Sequence, residues 1–220
     1  MKWCLMVDVV YVCGLPGVGK NTVLKELESI LRAEGCQRNF RVVGFGDEML
    51  SVVNEDVGII ERHGRVGRDE IREKLSYEEQ KACIFRTMSR LIRKYDELDL
   101  LFLHGHSVLE TPYGYLSGFP TVLYQTMRDL FFEHSFNLAM LVHITAKPEE
   151  IKRRREADRH RRRRPEAVEV IERYLRLTEM AMYSIALNLY IPLVIIENKE
   201  GRVRDAAEEL YAALKKRGIA

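Results

Sequence analysis

The residues best suited to chemistry lie in one short stretch near the start of the chain. Residues 14–22 read Gly-Leu-Pro-Gly-Val-Gly-Lys-Asn-Thr. Glycine permits backbone conformations closed to other residues, so several N–H groups can face one anion, and Lys20 adds an ammonium group that can follow the β- and γ-phosphates of a nucleotide. The residues expected to bind these phosphates are Gly14, Leu15, Pro16, Gly17, Val18, Gly19, Lys20, Asn21 and Thr22.

The segments on either side of this stretch favour the same interpretation. Residues 3–13 are rich in valine and aromatic side chains, which predicts a buried strand. From Lys20 to about Ala33, apolar residues recur at helical spacing, and such a helix would aim its free N–H groups and the positive end of its dipole at the glycines. A strand, the spacing Gly-x4-Gly-Lys and a helix together predict a phosphate-binding P-loop. The alternative is a purely structural turn, which would not need Lys20.

Candidate metal ligands follow the loop and the second strand. Asn21 stands where Ser or Thr normally places a hydroxyl on Mg²⁺, so we expect the hydroxyl of Thr22 to serve instead. Asp47 follows a predicted strand at 41–45, and the carboxyl end of a parallel strand lies at the ligand edge of such a sheet. We therefore expect Asp47 to bind magnesium or a second substrate; the alternative is a helix N-cap before Glu48.

The third predicted strand, residues 98–103, ends in histidines. His104 occupies the position at which many P-loop enzymes have the aspartate of the magnesium shell. His104 and His106 could both contact a metal ion, but two ligands alone do not make a metal site.

Arginines supply the other candidate phosphate ligands. Arg68 and Arg72 are four residues apart in a helix predicted from 68 to about 95, so they share one face, which suits the phosphate of an acceptor; ion pairs with Asp69 or Glu73 are the alternative. Residues 152–164 hold eight arginines and one lysine against two acidic residues. This run is typical of a solvated face, a nucleic-acid-binding patch or a lid over transferring phosphates. It contains no Phe, Tyr or Trp, which argues against single-stranded nucleic acid.

Strand-like and helix-like segments alternate along the whole chain. Further strands are predicted at 138–144 and 192–196, residues 56–68 and 111–120 are predicted as loops, and a long helix is predicted from 165 to about 189. The alternation predicts one α/β domain, a parallel five-stranded sheet with helices on both faces. A length of 220 residues and a hydrophobic content of 46% fit one globular domain.

The composition indicates which partners and which cellular location to expect. The net charge is only +2, so no strong overall field attracts a partner. The four cysteines show neither zinc-site nor disulfide-framework spacing. No apolar run reaches the roughly 18 residues of a membrane span, so we expect a cytoplasmic protein with no membrane partner.

With these motifs in hand, the chain resembles the archaeal-type adenylate kinases over essentially its whole length. The resemblance is carried by residues 14–22, Gly-Phe-Gly-Asp at 44–47, Arg-Asp-Glu-Ile-Arg at 68–72, His-Ser at 106–107, Thr-Pro-Tyr-Gly-Tyr-Leu-Ser-Gly-Phe-Pro at 111–120 and Ile-Ile-Glu-Asn-Lys at 195–199. The stretch 111–120 is the most specific of these and the P-loop the least.

The resemblance implies a three-layer P-loop NTPase fold and reversible phosphoryl transfer from ATP to AMP, giving two ADP, with Mg²⁺ as cofactor. It implies an acceptor-binding insertion at about 46–95 and an arginine-rich lid at about 152–165. Lys20 would hold ATP phosphates, Arg68 and Arg72 the acceptor phosphate, and Asn198 would lie near the adenine of ATP. Arg161 and Arg163 match lid arginines that would neutralise the transferring group. The resemblance also implies a homotrimer.

Two other functions are compatible with the sequence. A nucleoside monophosphate kinase with another or a broader acceptor would need the same phosphate ligands, because acceptor choice depends on pocket contacts. A nucleotide-regulated RNA-binding protein could use the arginine run as its contact surface and the P-loop as a switch, and His104 in place of aspartate favours this slightly. Nucleic acid is thus a conceivable but less favoured partner than ATP, AMP and ADP.

Overall fold

A central parallel sheet organises the molecule. The computed structural model describes residues 6–68, 70–111, 114–117, 125, 128–129, 131, 133–157 and 166–220. The strands are β1 (Val7–Cys13), β2 (Phe40–Gly44), β3 (Leu100–Gly105), β4 (Val108–Thr111), β5 (Gly114–Ser117), β6 (Phe136–Thr145) and β7 (Leu193–Glu197). The helices are α1 (Lys20–Ala33), α2 (Phe45–Glu55), α3 (Val57–His63), α4 (Ile71–Lys74), α5 (Tyr77–Lys94), α6 (Pro148–Ala157), α7 (Val168–Leu189) and α8 (Val203–Lys216).

Five of the strands form the parallel sheet predicted from the sequence. Their order is β2-β3-β1-β6-β7, with every neighbouring pair parallel. In the register of β1, Val12 lies opposite His104 of β3 and Cys13 lies opposite His143 of β6. The carboxyl ends of these three strands therefore meet at one edge of the sheet, immediately below the P-loop.

Side chains alternate between the two faces of the sheet, and each face is buried against helices. On one face, Val10 and Val12 pack with Leu27 of α1 and Leu210 of α8. On the other face, Tyr11 and its neighbours pack with apolar residues of α5 and α7. The prediction of helices on both faces is confirmed, and the near-continuous apolar character of β1 follows from burial on both sides.

The segment between β2 and β3 is more helical than predicted. Residues 56–68 were expected to form a loop, but α3 spans Val57–His63, with the Asp56 side chain accepting from the Ile59 amide at 2.9 Å. The single helix predicted from 68 to 95 is also wrong. It is divided into α4 and α5, because Ser76 and Glu79 form a reciprocal capping box that starts α5.

The region after β3 contains a hairpin where a loop was expected. Strands β4 and β5 pair antiparallel, with Val108 opposite Ser117 and Thr111 opposite Gly114. Proline and glycine in this stretch correctly indicate a turn, but they hid the two short strands beside it. Residues 112–113 and 118–120 of the same stretch lie outside the described residues. Within the described part of the chain, no helix is both long and apolar enough to cross a membrane.

Candidate functional site

The P-loop connects the central strand to the first helix by a backbone path that requires glycine. Gly17 and Gly19 have φ values of 96° and 87°, which side-chain-bearing residues rarely adopt. A Cβ on Gly19 would collide with the Asn198 side chain, and one on Gly14 with the Ile144 carbonyl. Helix α1 begins at Lys20 without a side-chain cap and without an acidic residue in its first turn. Its first N–H groups are thus available to an anion.

Lys20 lies inside this loop. The residue is only 8% exposed, and its Nζ donates to the carbonyl of Gly14 and, at 3.3 Å, to that of Leu15. The loop's own carbonyl oxygens therefore hold the ammonium group beside the ends of the central strands. To reach a phosphate, the side chain exchanges these hydrogen bonds for new ones.

A cavity of about 350 Å³ opens beside the loop. Its wall outside the P-loop is formed by Arg68, His104, Gly105, His106, Arg154 and Arg155. None of the described residues that line the cavity is acidic. Four basic side chains, those of Lys20 and three arginines, thus face a space the size of a phosphate-bearing ligand, which favours an anion.

The two halves of the predicted acceptor pair are placed differently. Arg68 lines the cavity, and its guanidinium contacts Asp47 at 2.7 Å. Arg72 is in α4 and does not line the cavity, but its charge contributes to lowering the pKa of His106. Both arginines therefore act on the same side of the site, Arg68 as part of the cavity wall and Arg72 through its charge on His106.

Histidines at the sheet edge are neutral at pH 7. Burial, with the charge of Lys20 next, lowers the pKa of His104 to about 4 and that of His143 to about 4. The same causes lower the pKa of His106 well below its ordinary value. The carbonyl of Gly14 lies 3.0 Å from Nδ1 of His106, so this nitrogen carries the proton and donates. The neutral rings add no positive charge to the site, so the charge that attracts a phosphate comes from Lys20 and the arginines of the cavity wall.

Asp47 and His104 stand together beside Gly44, where a Cβ would contact both side chains. Asp47 lies in the first turn of α2, whose N-cap is Gly44 without a side-chain cap bond. The alternative interpretation of Asp47 as an N-cap is therefore wrong. Its carboxylate is 61% exposed and paired with Arg68.

The donor set at this place fits Mg²⁺. Thr22, which carries a hydroxyl group, is one of the residues that line the cavity, and Asp47 adjoins two others, Arg68 and His104. Mg²⁺ is held in nucleotide sites by one or two oxygen ligands together with water and phosphates. A site for softer metals is not supported, because the described residues contain no cluster of three His, Cys, Asp or Glu side chains that could hold an ion.

Asn198 contacts the P-loop. It follows β7, is 4% exposed, and its Nδ2 donates to the Val18 carbonyl at 2.7 Å. Arg154 joins the same contact, donating to the Val18 carbonyl at 3.1 Å and to the Asn198 carbonyl at 2.9 Å. The sequence predicted Asn198 near the adenine; the side-chain amide is directed to the loop backbone, and adenine contact stays a prediction.

Comparisons with known proteins identify the family of the chain. The AAA domain family profile matches residues 13–172. The adenylate kinase of Thermococcus onnurineus is 32% identical over 207 residues, covering 94% of each chain, and that of Thermococcus kodakarensis is 33% identical over 208 residues, also 94% of each. The chain belongs to the adenylate kinase family. As a member of this family of P-loop kinases, it is a phosphotransferase.

Solved structures with low sequence identity show the same fold. Shikimate kinase from Acinetobacter baumannii superposes with a TM-score of 0.51 at 16% identity, covering 100% of this chain and 99% of that one. The sheet order and the P-loop position described above are thus those of a P-loop kinase.

The sequence did not predict two arginines of this site, and two arginines that it did predict lie outside the described residues. Arg154 and Arg155, in the last turn of α6, line the cavity and contact the loop backbone. No local signal distinguishes them from Arg153, which directly precedes them and pairs with Glu200 at the surface. Arg161 and Arg163, the predicted lid arginines, lie outside the described residues.

Proposed function

We propose that the protein is an adenylate kinase that transfers the γ-phosphoryl group of ATP reversibly to AMP, giving two ADP, in the presence of Mg²⁺. The observation that carries this proposal is the cavity in which a P-loop and Arg68 are both wall residues. A P-loop by itself indicates a phosphate donor. An arginine from a separate segment, on the same cavity, supplies a second anion site for the acceptor.

On the donor side, the amides of the P-loop and the first turn of α1 surround the ATP phosphates. Lys20 exchanges the carbonyls of Gly14 and Leu15 for phosphate oxygens. Asn198 and Arg154 hold the Val18 carbonyl from outside the loop, and Asn198 lies next to the place we assign to the adenine.

On the acceptor side, Arg68 and Arg72 hold the phosphate of AMP, and residues 46–95 form the acceptor-binding region. A guanidinium suits this role because it presents a planar set of donors to phosphate oxygens. Asp47 orients Arg68 in the free enzyme. Residues 152–165 form the lid, from which Arg161 and Arg163 neutralise the transferring group.

This arrangement needs no strong general base. Phosphoryl transfer passes through a loose transition state, so positioning and charge stabilisation supply most of the catalysis. Thr22 and Asp47 are the residues that would hold Mg²⁺, which supplies charge neutralisation between the phosphates when it is bound. His104, whose ring lies with Asp47 beside Gly44, is neutral and adds no charge there.

The part of the arginine run that the structure describes, residues 152–157, is less available to a nucleic acid than its composition indicates. In the described part of the run, Arg153 pairs with Glu200, Arg154 contacts the P-loop backbone, and Arg155 pairs with Glu166. These contacts occupy side chains that an RNA-binding surface would leave free, which favours the kinase.

The test is a coupled assay of ADP formation with ATP, Mg²⁺ and each of AMP, CMP, UMP and GMP. We expect transfer that requires AMP. Lys20→Ala is expected to lower kcat by about 10³-fold, since it removes a charge that acts on the transferring phosphate. Lys25→Ala, which changes an exposed lysine on the same helix, is the matched control and should keep wild-type activity. No transfer to any of the four acceptors, despite tight binding of ATP, would refute the proposal.

A further inference from the structure

Arg155 has an unusual environment for a residue of a basic run. Its side chain is only 6% exposed. Its Nε donates to the Pro16 carbonyl of the P-loop at 2.9 Å, and its Nη1 lies 2.5 Å from a carboxylate oxygen of Glu166. The stem of the side chain lies on Gly17, where a Cβ would approach Cγ of Arg155 within 3.1 Å. Arg155, which lies in α6, thus connects this helix to Glu166, two residues before α7, and to the P-loop.

These contacts constrain the direction of the loop amides. All peptide bonds among the described residues are trans, and in a trans peptide the C=O and N–H groups point in opposite directions. Because Arg155 holds the Pro16 carbonyl, the Gly17 N–H of the same peptide points away from that guanidinium. At Val18, donors from Arg154 and Asn198 hold the carbonyl in the same way.

We propose that Arg155, held in turn by Glu166, is a positioning residue that presets the Pro16–Gly17 peptide for the phosphates of the donor nucleotide. This inference rests on the proposed function, because it takes ATP to be the ligand of the loop. Preset amides bind a phosphate without first paying for reorientation of the backbone.

Glu166 separates this role from the obvious alternative. Arg155 also lines the cavity, so it could instead contact a phosphate directly. In that case Glu166 competes with the phosphate for the guanidinium, and Glu166→Gln should strengthen ATP binding. If Arg155 is a positioning residue, losing the carboxylate loosens the guanidinium from the Pro16 carbonyl, and the same variant should weaken ATP binding.

The experiment measures binding of ATP and, separately, of AMP by calorimetry to the full-length protein. We expect Glu166→Gln to weaken ATP binding by about ten-fold, the equivalent of one weakened buried charged hydrogen bond, and to leave AMP binding unchanged. Arg155→Lys should also weaken ATP binding, because one ammonium cannot reproduce the planar arrangement that serves Pro16 and Glu166 together. Unchanged or tighter ATP binding by Glu166→Gln overturns the inference.

Glu200→Gln is the matched control. Glu200 follows β7 and pairs with Arg153 of α6, the helix that also carries Arg155. The side chains of this pair are 55% and 59% exposed, so the pair lies at the surface. The Glu200→Gln variant should bind ATP with the affinity of the wild type. A loss of ATP affinity equal to that of Glu166→Gln would contradict the proposal. If the wild type binds ATP but transfers no phosphate, the proposed function fails while the positioning role is still decided by these affinities.

Discussion

The sheet and the α2–α5 segment bear the two groups of phosphate ligands, but they are held together differently. Strand β1 is almost wholly buried and packs with long helices on both of its faces. Part of the α2–α5 segment, Phe45 and the second half of α5, packs in the sheet core, and the rest has a separate core of six buried side chains. Around this small core, charged pairs connect the helices, such as Glu48 with Lys94 and Glu55 with Arg90. The P-loop is therefore carried by deep apolar packing, and Arg68 by a segment with a thin core.

The sheet and the α2–α5 segment should therefore differ in how much they contribute to the stability of the protein. Partly exposed ion pairs contribute about 0–1 kcal/mol each, so the charged pairs of α2–α5 add little to its stability. Burial of leucine and valine side chains against the sheet contributes about 1.5–3 kcal/mol per side chain. We expect perturbations of the sheet to act on the whole molecule, and perturbations of α2–α5 to stay local.

The largest effect should come from removing core volume beside the sheet. Leu27 of α1 is fully buried against β1 and α8, so Leu27→Ala should destabilise the whole protein by about 3 kcal/mol. Leu187→Ala, at a leucine that is 74% exposed, should change stability by less than about 0.5 kcal/mol. Urea unfolding followed by circular dichroism measures both. Equal losses in the two variants would contradict the comparison.

The second effect is a pH dependence of stability that comes from His143, a residue of the central sheet. Burial lowers the pKa of His143 from 6.5 to about 4, and both ring nitrogens of this 1% exposed residue lack a hydrogen-bond partner. Between these two pH values the unfolded chain binds a proton that the folded chain does not. Stability should therefore fall as pH decreases from 6.5 to about 4, by up to about 1.4 kcal/mol per pH unit.

Urea unfolding at pH 7.5, 6 and 5 measures this slope. His143→Gln, which removes one titrating group, should reduce this slope and leave the part that His104 and His106, whose pKa values are also lowered, contribute. A variant with the wild-type slope would assign the pH dependence to another group.

The smallest effect should be confined to α2–α5. Ser76 caps α5 through its side chain, and Glu79 accepts from the Ser76 amide at 2.9 Å. Ser76→Ala should cost about 1 kcal/mol, and hydrogen exchange should increase in the first turn of α5 while β1 and β6 keep their protection. Ser89→Ala, at an exposed serine in the middle of the same helix, is the control. Faster exchange in the sheet would show that the two regions unfold together.

Much of the sheet half could be predicted from the sequence because its signals are local. An apolar strand, three glycines, a lysine and an amphipathic helix follow one another without interruption, so the P-loop was found with its neighbours. The α2–α5 half was predicted less well. Helix α3 has only seven residues, too few for a clear period. The spacing Ser76-x-x-Glu79 is the one local signal that marks the start of α5.

The outer contacts of the P-loop could not be predicted, for a different reason. Arg155 reaches Pro16 across 139 residues and Asn198 reaches Val18 across 180. A run with eight arginines contains nothing local that marks one of them as buried. Only the packing of α6 next to the end of β1 distinguishes Arg155 from Arg153, which pairs with Glu200 at the surface.

The same long separations govern how the site forms during synthesis on the ribosome. Strand β1 and the P-loop are made before their partners, because β1 pairs with β3 and β6, and α1 packs against α8. The contacts on the Val18 carbonyl come from Arg154 and Asn198, so they are complete only after Asn198 has been made. A nascent chain therefore carries the phosphate-binding motif long before it can hold a nucleotide, and ATP can stabilise only a chain that extends past Asn198.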